Sequence, residues 1–116
     1  MAKLKKSTRI KRENERLRAR YADLPEESME ILDGLIDRAA FLRPTLDDLE
    51  EDININGTTE SFSQGDQEPY QRERPVVRQY NALLKNYQTI IKQLDDVQPR
   101  DKADQLNDGF EDFIRG

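Results

Sequence analysis

The chain has 116 residues, of which 34% are hydrophobic and 37% charged, and its net charge is −5. That length holds one domain, and that little apolar material gives a small core, so oligomerisation is an expected source of stability. Cysteine and histidine are both absent, which excludes disulfides, thiolate chemistry and Ser–His or Cys–His catalysis and removes the commonest metal ligand.

The longest uninterrupted apolar run is 39–42, far short of the roughly 18 residues a membrane span needs. The N-terminus is basic but lacks the apolar stretch of a signal peptide. A soluble, intracellular protein is the expectation. The net charge hides a division. Residues 1–20 hold nine Lys or Arg against two Glu, a net +7, while residues 21–116 hold ten against twenty-two Asp or Glu, a net −12. The acidic body repels polyanions and the basic segment attracts them.

Residues 1–22 form a basic arm. From about Ser7 its composition suits a helix, and Ile10, Asn14, Leu17 and Tyr21 follow heptad-like spacing with one polar member. The spacing predicts a helix that is frayed or ordered only on contact, a flexible arm. Leu24-Pro25-Glu26-Glu27 reads as a helix start, with Pro at the first helical position and acids in the first turn. Met29, Leu32, Leu35, Ile36, Ala39 and Leu42 mark an apolar face at helical period, and Arg43-Pro44 is expected to end it. Thr45 with Asp48 is a variant capping box, Leu46, Leu49 and Ile53 line the next face, and Asn56-Gly57 closes it. The expectation over 25–55 is a helical hairpin with a short joint.

Segment 58–74 is rich in Thr, Ser, Gln, Gly and Pro. Thr58, Thr59 and Phe62 suit a short strand, Gln64-Gly65-Asp66 a turn, and 70–72 a returning strand; a small β-hairpin at about 58–72 and a disordered loop are the two readings. Pro75 then opens a long helix over 75–97, which Pro99 stops. Val76, Tyr80, Leu83, Tyr87, Ile90, Leu94 and Val97 alternate steps of four and three, with Val77, Leu84 and Ile91 beside them. This stripe is wider than a minimal coiled-coil seam and must be covered by helices of this chain, of sister chains, or both. Tyr80, Leu83, Leu84, Tyr87, Ile90, Ile91 and Leu94 are the expected oligomer interface. Residues 99–116 form an acidic tail carrying Phe110, Phe113 and Ile114 beside Asp108, Glu111 and Asp112. Docking of this cluster into a partner, packing back on the body, and disorder all remain open.

The predicted architecture is therefore all-α: a basic arm (1–22), a helical oligomerisation domain (23–98) and an acidic tail (99–116). For polyanion binding the candidates are Lys3, Lys5, Lys6, Arg9, Lys11, Arg12, Arg16, Arg18 and Arg20, which supply charge but little base-reading chemistry. The competing reading is a solvated tail that keeps the protein soluble or pairs with its own acidic body. The acidic run Asp47, Asp48, Glu50, Glu51, Asp52 reads as a solvated helix face rather than a magnesium site, and no Walker-type loop or EF-hand spacing occurs. No metal or cofactor is expected.

The order of elements carries a resemblance. Gly34-Leu35-Ile36-Asp37, Thr45-Leu46-Asp47-Asp48-Leu49 and Asn56-Gly57 are followed by Arg74-Pro75-Val76-Val77, Tyr80-Asn81, Lys85-Asn86-Tyr87, Lys92-Gln93-Leu94 and Asp108-Gly109-Phe110. Over about 28–114 the chain resembles the small terminase subunits of tailed phages of Gram-positive bacteria. The resemblance implies a helical, ring-forming, non-catalytic viral protein of DNA packaging in the host cytoplasm, which recognises DNA and regulates the large terminase subunit. The long helix would supply subunit contacts, the arm DNA contacts, and Phe110, Phe113 and Ile114 the contact with the large subunit. The sequence departs from many such proteins in lacking a helix-turn-helix with a base-reading second helix: 45–55 is acidic and suits no major groove. The alternative is a protein-only helical adaptor.

Overall fold

A computed structural model describes residues 3–97. In chain order they form α1 (Lys6–Arg20), α2 (Glu26–Asn56), β1 (Thr59–Phe62), β2 (Tyr70–Glu73) and α3 (Pro75–Asp96). The fold is mostly helical, as the sequence pattern predicts, and of the two readings of 58–72 the structure shows the small antiparallel hairpin. Helix α2 is the centre, and α1 and α3 both pack on it. The core is one cluster built from Leu17 and Tyr21 at the end of α1, Leu24 in the joint, Leu32, Ile36, Ala39 and Ala40 of α2, and Leu94 of α3.

Helix α2 corrects the expected hairpin over 25–55: it runs unbroken for 31 residues with Pro44 inside it. Proline has no N–H, so the Ala40 carbonyl loses its helical donor and the ring crowds it, a cost of about 3 kcal/mol. Packing on both sides of the proline offsets that cost. Ala40 and Leu46 are fully buried and Pro44 itself is buried. Burying a side chain the size of Leu46 contributes on the order of 2 kcal/mol. Polar ties also cross the joint. The Arg43 guanidinium donates to Asp47 at 2.6 and 3.0 Å and to Glu50 at 2.9 Å. Arg9 of α1 donates to the Pro44 carbonyl at 3.2 Å. Thr45 is thus no cap but an interior residue, its hydroxyl 3.5 Å from the Phe41 carbonyl. The helix ends where expected, at Gly57, whose N–H donates to the Ile53 carbonyl at 2.7 Å and whose φ of 82° and ψ of −174° suit only glycine.

Segment 1–22 is corrected as well. Residues 6–20 are not a frayed arm but a helix whose spacing meets α2: Leu17 is 2% exposed and Tyr21 4%. The polar member of that spacing is satisfied, since Asn14 Nδ2 donates to Asp37 at 2.8 Å while its Oδ1 accepts from Arg18 at 2.6 Å. The boundary expected near 22 therefore runs through a shared core.

Pro75 is the first residue of α3, where its missing N–H costs nothing. Leu94 is fully buried against α1 and α2 residues, and Tyr87, Ile90, Ile91 and Val97 pack against the same cluster. This corrects the interface assignment of Leu94, which the chain's own core covers. Tyr80, Leu83 and Leu84, in the first half of α3, are half-buried. In the hairpin, Thr59 pairs with Glu73 and Phe62 with Tyr70. The two rings meet edge to face at 5.8 Å and the Arg72 guanidinium lies 3.6 Å over Phe62. Gly65, at φ 62°, forms the connecting turn.

Candidate nucleic-acid interface

Helix α1 has no acid in its first turn and carries Arg18 and Arg20 in its last, where cations meet the negative end of the helix dipole. Fixing it on α2 divides the nine candidate cations into two sets. One set is paired with carboxylates, and its inward members, Lys3, Arg9 and Arg18, meet those of α2. Lys3 bonds Asp48 at 2.9 Å and also Glu51. Arg9 bonds Asp48 at 2.8 Å, and Arg18 reaches Asp37 at 3.0 Å and Asp33. Arg16 pairs with Glu13 on its own helix.

Electrostatics follow these contacts. Hydrogen bonds to Glu51 and then Asp48 raise the Lys3 ammonium above the ordinary lysine range. The Asp48 carboxyl is lowered, first by Lys3 and then by Arg9. Asp37 is lowered first by the Asn14 amide and then by Arg18. Each of these groups holds its charged form more firmly than it would in the unfolded chain.

The outward set is Lys5, Lys6, Lys11, Arg12 and Arg20, all exposed, with no carboxylate partner among the described residues. Arg20 rests 5.9 Å over the Tyr21 ring. Lys5 and Arg12 lie seven residues apart, two turns or about 10 Å along the axis. Glu15 is exposed on the same side. No exposed aromatic or amide accompanies these cations on α1, and Asn14, the helix's amide, is engaged within the chain. The surface can neutralise phosphates but offers no group suited to a base edge.

Sequence reasoning missed three features. The acids of 47–52 are not simply solvated: Asp48 and Glu51 hold α1, Asp47 and Glu50 hold Arg43, and Asp52 receives Arg74 at 3.0 and 3.1 Å. The pairing of Arg43 with Asp47 was visible as an i, i+4 spacing, whereas that of Arg74 with Asp52, across the hairpin, left no local signal. Second, Arg43 also lies 5.1 Å over the Tyr87 ring, tying α2 to α3. Beside it burial, then the charge of Glu50, raises the Tyr80 phenol. Third, α2 and α3 leave an apolar groove on one side, in two adjoining parts of about 540 and 390 Å³ that share Arg38. Phe41 and Ile31 stand 59% and 64% exposed in it. Neither belongs to the apolar period read from 29–42, so the period gave no hint of them.

The docking candidates Phe110, Phe113 and Ile114 lie outside the described residues. Among the described residues no helix is long and apolar enough to cross a membrane. Compared with known proteins, the chain matches no family model, no curated protein and no solved structure.

Proposed function

We propose that the chain is a non-catalytic, DNA-binding adaptor of phage genome packaging, a terminase small subunit that recruits or regulates the large subunit in the host cytoplasm. The observation that carries the DNA contact is the outward set: four exposed cations on α1 and Lys5 at its N-cap, on a helix fixed to the core, with no base-reading side chain among them. Binding is then driven by phosphate neutralisation and is tolerant of sequence. Subunit contacts fall to the half-buried first half of α3, around Tyr80, Leu83 and Leu84.

The test is fluorescence anisotropy with two unrelated duplexes over a salt series. Five phosphate contacts set a limit of about −4.5 on the slope of log affinity against log salt, at roughly −0.9 each. Replacing Lys11 and Arg12 with Gln should make the slope shallower by about 1.8, equally for both duplexes. The four cations already paired with carboxylates favour a second reading, a protein-only helical adaptor. Absence of any binding at about 50 mM salt would select it, because non-specific DNA contacts are strongest there.

A further inference from the structure

The groove between α2 and α3 has an occupant in this chain. We propose that the acidic tail folds back so that Leu106, Phe110, Phe113 and Ile114 seat in it, over Ile31, Phe41 and Ile90. The inference does not rest on DNA binding. It states where the docking cluster resides until a partner competes for it.

Four observations converge. The groove is apolar and uncovered, with Ile31 and Phe41 more than half exposed. Val97, the last described residue, itself lines the groove, so the following segment departs from its edge. From Ile31 to Phe41 the groove runs along ten residues of helix, about 15 Å. The eight residues 98–105 span up to about 27 Å when extended, so Leu106 can start at either end. Leu106, Phe110 and Phe113 follow steps of four and three, with Ile114 beside them. As just over two helical turns they cover about 12 Å, which the groove accommodates.

Charge leaves room for this occupant: Asp37 and Asp96 line the groove beside Arg38, and Asp37 is already engaged by Asn14 and Arg18. Arg38 stands where the two parts of the groove meet and has no carboxylate partner among the described residues. Segment 103–114 brings Asp104, Asp108, Glu111 and Asp112 with no Lys or Arg between them. Tethering also favours the tail, because a short linker holds it at millimolar effective concentration.

The absence of cysteine allows a single label in the full chain. A nitroxide on Arg115→Cys, next to Ile114, should remove more than half of the amide signal intensity at Phe41, Thr89 and Ile90 in the isotope-labelled chain. Phe113→Asp should restore those signals, with the helical circular dichroism and thermal midpoint of the chain measured alongside to confirm that the fold is kept. In a mixture of isotope-labelled chains without nitroxide and nitroxide-carrying chains without isotope, the same signals should stay intact. Loss of signal in the mixture would assign the groove to a second copy's tail, and undiminished signal in both samples would show that the tail does not enter it. Either outcome overturns the proposal.

Discussion

Replacing Leu94 with Ala separates an intrachain core from a seam between subunits. Leu94 has no exposed surface and belongs to the same cluster as Leu17, Leu32 and Ile36. The substitution removes three carbon groups, about 2.4 kcal/mol at ~0.8 kcal/mol each, before any cavity term. Incomplete collapse around the site brings the expected loss to about 3–4 kcal/mol. A chain of this size has a total stability on the order of 5–15 kcal/mol, so this is a large share of it. Urea unfolding followed by helical circular dichroism should show a much lower midpoint with an unchanged slope. The midpoint difference should be the same at protein concentrations a hundredfold apart, because the lost contacts lie within one chain. A loss under about 1 kcal/mol, or a difference that tracks concentration, would return Leu94 to a subunit interface.

Pro44→Ala restores a donor for the Ala40 carbonyl and should raise stability by about 1–2 kcal/mol, the ~3 kcal/mol proline cost less the packing of the ring; a loss in urea unfolding would show that the proline shapes α2 for its neighbours. Gly57→Ala should cost about 1–3 kcal/mol through backbone strain alone, since nothing lies within 4 Å of the new Cβ; a neutral result would mean that the α2–β1 joint relaxes. Asp37 and Asp48 are both lowered, the first mainly by Asn14 and the second mainly by Lys3. Their contribution is therefore fully present above the unfolded carboxylate value and is lost as pH falls through the lower folded one, so the docking of α1 should weaken below about pH 4 and not between pH 5 and 8. Hydrogen exchange of α1 amides across that range checks it.

The sequence was most legible where periodicity met a covering surface. The 3.6-residue stripe of 76–97 located α3, and Pro75 and Gly57 marked real element ends. The hairpin was legible through turn residues around Gly65. Two readings failed because local chemistry was outweighed by packing. Pro44 has the local preference of a helix stop, yet the buried residues on either side of it stay in register with two flanking helices. Asn14 looked like a defect in the stripe of α1, but its partners, Asp37 and Arg18, come from another helix and from the next turn. A residue's own neighbourhood in sequence does not report a partner 23 positions away. The candidate site was legible as a set of cations but not in its division, which appears only once α1 is laid on α2.

That division gives α1 two physically separate tasks. Lys3, Arg9 and Arg18 face the carboxylates of α2, and these pairs are partly exposed, so each adds at most a modest stabilisation. Their larger effect is orientation: three cations against Asp33, Asp37, Asp48 and Glu51 fix which face of α1 turns inward, in concert with Leu17 and Tyr21. Orientation in turn decides which cations remain outside. The acidity of α2, which would repel a nucleic acid if it stood bare, is partly masked by the same helix that presents Lys11 and Arg12 to solvent. Neutralising an inward cation therefore unmasks a carboxylate and loosens the helix, while neutralising an outward one leaves the fold alone and removes a phosphate contact. A basic segment bound to an acidic body is thus not evidence against polyanion binding: pairing three of its cations with the body is what holds the outward ones in one place.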